Sequence, residues 1–304
     1  MNNNQITKIM RLLKCRKALG VYFVLGIMAM SCSSGTNSPE IVVQDLKMTI
    51  PAGMQVFSEE LLPGEIADTK IEHLAYAGPI EQTITLTEGD VTMFLFVSGN
   101  GTLYADSSYQ LVPESIAIPL SKNISQVKFE VAEGEQLHFL QFTKKLSQQD
   151  IEDLKHFPEE SKYDLYFTRF EDCEPYTEKI KSPNTVSRTV LPADIVPRVS
   201  LGTVEAPGPD AVGAHSHPML DQVFLGLTNN DITVYADSAS TNLGQYSLLH
   251  IPIGSSHWVT VDENKKMYYM WMDFFLTKEG QEWLKTHKPA SDNDDNYKQD
   301  DESE

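Results

Sequence analysis

The stretch "GAHSHPMLDQVFLGL" (residues 213–227) puts two histidines one residue apart, just before a proline and an apolar run. An apolar run of this length, bounded by a proline and the Asn-rich turn at Asn229–Asn230, reads as a β-strand. Side chains alternate along extended chain, so residues two apart share a face. His215 and His217 therefore form a bite for a single metal ion. A third histidine, His257, closes "IPIGSSH" (residues 251–257), just after a Pro-x-Gly turn and at the start of another strand. Three neutral imidazoles suit one divalent transition ion: Zn, Ni, Fe or Mn. Asp221 and Gln222 compete for the fourth position. Being adjacent, they face opposite sides of a strand. The four residues between His217 and Gln222 favour Gln222, and a three-residue spacing favours Asp221. Three His and a Gln leave a divalent site at +2, the stronger Lewis acid, whereas an Asp lowers it to +1.

Working outward, "TVYADSA" (residues 233–239) repeats "TLYADSS" (residues 102–108). Each copy follows an apolar run and a turn, "FLGLTNND" or "FLFVSGNG". Each precedes an Ile-Pro strand, "LLHIPIG" or "SIAIPL", then an aromatic strand, "MYYMWMDFF" or "LHFLQF". Each ends in a helix-like stretch, "TKEGQEWLK" or "SQQDIEDLK". These landmarks in one order, about 130 residues apart, indicate an internal duplication of a β domain. Aligned on "YAD", the first copy has Ile84 and Leu86 near the two histidines, Val91 near Gln222, and Ile124 or Ser125 near His257. The first copy is thus expected to lack a metal site.

"HSHPMLDQVFLGL" followed by "IPIGSSH" resembles the two motifs of the cupin superfamily. That resemblance implies an all-β fold of two tandem cupin (double-stranded β-helix, jelly-roll) barrels with a few short helices. It also implies a metal held by His215, His217, Gln222 and His257. Three departures stand out. Gln222 replaces the usual glutamate, the Asn229–Asn230 turn replaces the glycine closing the first motif, and the asparagine ending the second motif is missing.

In "KKMYYMWMDFF" (residues 265–275), strand parity places Tyr269, Trp271, Asp273 and Phe275 on one face. An acid in so apolar a setting has its charged form disfavoured unless it is compensated, and a metal can supply the compensation. In the first copy Gln141 is aligned with Asp273. His250 is expected to be structural, and Trp258 to fill the core. The Gln ligand and the late Asp-x-Phe are similar to those of small cupins that linearise unsaturated uronates during pectin and alginate breakdown. The resemblance implies proton transfer by Asp273, with Lys278 in place of an arginine that follows in those proteins, and Phe275 and Trp271 are candidate substrate contacts beside them. Exported bicupins also include oxalate-handling oxidoreductases and decarboxylases, and ureidoglycine-processing bicupins exist in the cytosol; these usually keep a Glu ligand.

The ends of the chain carry other information. Residues 1–31 have a basic head (Lys8, Arg11, Lys14, Arg16, Lys17) and the apolar run "ALGVYFVLGIMAM", which is a secretory signal. Ala29-Met30-Ser31-Cys32 resembles a lipobox, which implies lipidation at Cys32 and a cell-envelope protein anchored to the membrane. Residues 32–45 are then a tether, 46–150 the first barrel, 151–189 a connector and 190–280 the metal-binding barrel. Residues 281–304 hold a short helix and an acidic tail. After processing, 19 basic residues face 43 acidic ones, a net charge of −24. Such a surface repels nucleic acid, which is excluded as a partner. Cys15 leaves with the signal and Cys32 is lipidated, so Cys173 has no disulfide partner. The expected partner is a sugar-like small molecule, and a homodimer is left open. Two functions fit: a metal-dependent isomerase or lyase, or a lipid-anchored protein that binds a small carbohydrate through its metal without catalysis.

Overall fold

Two kinds of strand build the molecule. Some alternate between buried and half-exposed residues, as in Gln126–Val131 and Asp231–Ala236. Others are buried at every position, as in Ser115–Pro119, Leu220–Gly226 and Ser247–Ile251. The first pattern belongs to sheets with one wet face, the second to sheets covered on both faces. The computed structural model describes residues 41–178, 181–217 and 219–285. The signal segment, Cys32 and the acidic tail lie outside the described residues.

Each repeat is a flattened antiparallel barrel with one large and one small sheet. The first repeat's large sheet runs Leu165–Arg169, Ser115–Pro119, Asp90–Gly99, Gln136–Lys145, Thr69–Ala77, Val56–Leu61. Its small sheet runs Ile80–Thr85, Gln126–Val131, Gly101–Tyr104, Ser108–Leu111. The second repeat's large sheet runs Val42–Asp45, Ser247–Ile251, Leu220–Gly226, Lys266–Phe275, Val199–Pro207, Val186–Leu191, Pro175–Tyr176. Its small sheet runs Asp210–His215, His257–Val261, Asp231–Ala236, Ala239–Gly244. Helices Gln148–Lys155 and Lys278–Lys285 follow the two repeats, as the sequence predicts. No described helix is long and apolar enough to cross a membrane.

The two large sheets pack face to face. Their shared core takes Met93, Leu95, Leu140 and Phe142 from the first repeat and Val223, Leu225, Met270 and Met272 from the second. Residues one position along face the barrel interiors. The first interior is filled by Phe94, Phe96, Phe129 and Phe139, with Phe129 and Phe139 stacked at 5.0 Å. Each buried aromatic or aliphatic side chain of this kind stabilises the fold by ~1.5–3 kcal/mol.

The domain boundaries differ from those expected. Val42–Asp45, counted with the tether, is an edge strand of the second repeat and pairs with Ser247–Ile251. Leu165–Arg169, counted with the connector, is the edge strand of the first repeat and pairs with Ser115–Pro119. The repeats thus exchange their leading strands. The sequence hides this because "VVQD" and "LYFTR" look alike whichever sheet receives them; only the tertiary edge decides. Val186–Leu191 likewise straddles the expected start at residue 190.

A matched glycine marks both repeats. A side chain on Gly78 would strike the Ala132 carbonyl at 1.8 Å, and one on Gly208 the Asp262 carbonyl at 1.9 Å. Only glycine permits this approach, so "GP" at residues 78–79 and 208–209 is a further repeat signal that the landmarks above omitted.

Candidate metal centre

His215 ends its strand and His257 begins the neighbouring one, directly opposite in register. A register shift between Val212 and His215 creates this pairing. The first repeat has no such bulge, and Ile84 stands opposite Val127 there. The extra residue re-aims the histidine toward its partner, a use to which bulges beside sites are often put. The ligand atoms of His215, His217 and His257 all lie within 4.8 Å of one another. Their ring centroids are 4.3–5.4 Å apart. Among the described residues this is the one such group of three or more His, Cys, Asp or Glu side chains.

Carbonyl oxygens set the tautomers. Nδ1 of His257 donates to the Ser255 carbonyl at 3.2 Å, and Nδ1 of His215 to the Gly213 carbonyl at 2.7 Å. Each Nε2 then carries the lone pair, the usual consequence of such outer contacts on metal-binding imidazoles. His257 is 1% exposed, and its Nε2 has no hydrogen-bond partner among the described residues. Burial, then the neighbouring His215, lower its pKa to about 3, so the ring is neutral.

Asp221 and Gln222 separate cleanly. Asp221 faces away from the cluster, with His250 Nε2 at 3.3 Å from its Oδ1, and His250 Nδ1 lies 2.9 Å from Glu65. His250 is thus structural, as expected. Gln222 shares the inner face with Phe224, whose ring is 6.1 Å from that of His257. The Gln222 amide nitrogen donates to Asp273 Oδ1 at 2.8 Å, while its Oε1 is buried without a partner among the described residues. This contact turns the NH₂ toward Asp273 and leaves the oxygen to ligate. A buried neutral imidazole and a buried amide oxygen, both without partners among the described residues, fit a divalent transition ion.

Asp273 is 3% exposed and lies in register with Gln222 and Ser200. Burial raises its pKa to about 7; Gln222 lowers it, Glu178 raises it and Lys181 lowers it. Trp271 shares the inner face and lies over Gly202, where a side chain would meet its ring at 2.3 Å. Phe275 is buried at the end of the same strand, opposite Leu220. Parity therefore places Trp271, Asp273 and Phe275 together.

Two expected residues lie elsewhere. Lys278 starts the final helix, and its ammonium donates to Asp153 Oδ1 at 3.0 Å on the first repeat's helix. Its side chain is 46% exposed, at the junction of the repeats, so it is no stand-in for a substrate-binding arginine. Trp258 does not fill the core but stacks on Tyr235 at 4.6 Å with rings 3° from parallel. Position 258 alternates outward because 257 points in.

The first repeat needs a register correction. Pairing sets Thr92 opposite Thr143, where the second repeat has Gln222 opposite Asp273. The counterparts are therefore Thr92, not Val91, and Thr143, not Gln141. Val127, not Ile124 or Ser125, matches His257. The turn before "YAD" is one residue longer in the second repeat, which accounts for the one-residue slip at Val91, while the slips at Gln141 and at Ile124 or Ser125 are larger. Ile84, Leu86, Val127 and the two threonines offer no comparable ligand set. Sequence reasoning also missed Glu178 and Lys181, which lie close enough to Asp273 to bias its ionisation.

No family model and no curated relative matches the chain. Solved structures do. Oxalate decarboxylase of Lactobacillus farciminis superposes with a TM-score of 0.55 at 11% identity, covering 81% of this chain and 90% of that one. Protein Ylba from E. coli gives 0.58 at 13% identity, covering 78% and 92%. AerE from Microcystis aeruginosa gives 0.55 at 13% identity, covering 78% and 98%. The architecture shared with these structures is a tandem pair of antiparallel β-barrels, the fold that the cupin resemblance of the sequence implies. At these identities the likeness establishes the fold alone, and chemistry has to be argued from the site.

Proposed function

We propose that the second barrel is a metal-dependent enzyme centre that moves a proton on a small sugar-derived substrate, in the manner of an isomerase or lyase. His215, His217, His257 and Gln222 would hold one divalent ion of the Zn, Ni, Fe or Mn group. Bound there, such an ion supplies Lewis acidity toward a carbonyl or hydroxyl oxygen. The observation that carries the reading is the Gln222–Asp273 hydrogen bond of 2.8 Å beside three convergent imidazoles. It couples a ligand candidate to a buried acid whose second oxygen is left to take or give a proton. Trp271 and Phe275 supply apolar walls that orient a ring and exclude water. Unsaturated uronates are the substrate class favoured by the ligand set and the Asp-x-Phe order.

On the same reading, the protein is lipidated at Cys32 and works in the cell envelope. The eight residues between Cys32 and Ile41 span ~30 Å at most, which holds the barrels close to the bilayer. In the test, purified protein is loaded with each candidate metal, mixed with unsaturated uronates and followed by their absorbance. Metal-dependent loss of signal is expected, and it should disappear in Asp273→Asn with metal content unchanged. Ligand-induced thermal stabilisation without turnover would replace this reading with that of a metal-dependent binding protein.

A further inference from the structure

We infer that Lys181 is the anion-recognising residue of this barrel, and that its ligand carries a carboxylate; the inference rests on the metal-centre reading above. Lys181 comes from the segment between the repeats, yet its backbone bridges Val212 in antiparallel register. Directly paired residues project to the same side of a sheet. Val212 belongs to the inner core of the second barrel, so Lys181 projects inward too. Its side chain is only 5% exposed. The ammonium donates to Ser187 Oγ at 2.8 Å and to Glu178 Oε1 at 2.8 Å. Ser187 also faces inward, being paired with Val204 of the inner core. An ammonium has three donors, so one N–H remains for a ligand oxygen.

The other described basic side chains of this repeat are engaged elsewhere. Arg188 and Lys266 face Glu205, Lys265 faces Asp231 and Asp262, Lys278 faces Asp153, and Arg198 faces Asp150. Among the described residues, Lys181 is thus the lysine or arginine that the barrel turns toward its own interior.

The donor gives the ligand's sign. The remaining N–H belongs to an ammonium whose side chain is only 5% exposed, and a charge-assisted hydrogen bond to a carboxylate oxygen is shorter and stronger than one to a neutral hydroxyl. A carboxylate also brings a counter-charge to this buried cation, which a neutral polyol does not. The acidic outer surface does not alter this local balance, because charges beyond about 8 Å are screened at physiological ionic strength.

The test uses mature full-length protein loaded with cobalt(II), with metal content measured first and ligand binding followed by the visible cobalt bands. The probes are glycolate, the smallest hydroxy-carboxylate, and imidazole, a neutral metal ligand. Lys181→Met should weaken glycolate at least tenfold while leaving imidazole within twofold, and Lys181→Arg should recover part of the loss. Equal glycolate affinity in Lys181→Met overturns the inference. So does equal weakening of both probes, which marks a structural strap, and so does wild-type protein that binds imidazole but not glycolate. Wild-type protein that holds no cobalt refutes the metal centre itself, an outcome visible before either probe is added.

Discussion

Replacing Asp150 by Asn should destabilise the protein in a way that depends on pH. Arg198 Nε and Nη2 donate to the two Asp150 oxygens at 2.6 and 2.7 Å, and Nη1 donates to the carbonyls of Phe275 and Leu276 at 3.1 Å. The pair therefore ties the first repeat's helix to the end of the strand bearing Asp273. Burial pushes the Asp150 carboxyl up, but Arg198 and the Ser147 cap more than offset this and bring it from 3.8 to about 2. At about 1.36 kcal/mol per tenfold change in proton affinity, this corresponds to ~2 kcal/mol of stability. The folded pKa is depressed, so the contribution is complete above about pH 4 and is lost as pH falls toward 2. Leaving the half-buried guanidinium without its anion adds to the loss, for a total of ~3 kcal/mol at neutral pH. Urea unfolding of wild type and Asp150→Asn at pH 7, 4, 3 and 2 measures the difference. A gap that does not shrink between pH 4 and pH 2 would refute the assignment of the stability to this charge pair.

Three further outcomes follow from other parts of the fold. Lys144 is 2% exposed, and burial, then Arg198, lower its pKa from 10.5 to about 8. The unfolded chain thus binds more protons between pH 8 and 10.5, so Lys144→Met should stabilise by ~2–3 kcal/mol at pH 7 and lose that gain toward pH 10.5, as read from urea midpoints. Gln222→Leu should reduce metal content after dialysis at least tenfold while Asp221→Ala leaves it unchanged; the reverse order would move the ligand to Asp221. Deleting residues 33–45 removes the exchanged strand together with Ile41 and Val43, which pack in the second barrel's core, and should lower the thermal midpoint by several degrees, whereas deleting 33–38 should not.

The fold was readable because its signals are local. Strand alternation, Gly and Pro turns, and the doubled "YAD" and Ile-Pro landmarks each depend on a few neighbouring residues, and together they specify two similar β domains. The placement of Trp271, Asp273 and Phe275 on one face came from parity alone, and the strand is regular enough to keep it. The failures share a different cause. Lys278 follows Asp273 by five residues, but the chain leaves the sheet after Phe275 and turns into a helix, so sequence proximity no longer means spatial proximity. Lys181 precedes the metal motif by more than thirty residues, in a stretch that reads as linker, and only an isolated bridge to Val212 carries it into the barrel. The bulge at His215 could not be read either. Nothing in "VGAHSH" distinguishes a regular strand from one with an extra residue, although Gly213 is compatible with the bend.

The duplication explains why one barrel can bury so many polar groups at all. Gln222 Oε1, His257 Nε2 and the Asp273 carboxyl are buried in the second barrel, each at a cost that an apolar core would avoid. The first barrel has Thr92, Val127 and Thr143 at those positions and fills its interior with four phenylalanines. The common core between the large sheets passes that stability across, since Met93 and Phe142 pack in the same cluster as Met272 and Phe274. Exchanged edge strands reinforce the coupling, because neither barrel can complete its large sheet without a strand from the other end of its neighbour. The first repeat, without a comparable ligand set, thus has a role of its own: the aromatic barrel supplies the rigidity against which the polar barrel keeps its geometry. A site built this way should tolerate substitutions among Ile84, Leu86 and Val127 that preserve volume, yet respond at the metal to cavities opened at Met272 or Phe142, which belong to the shared core.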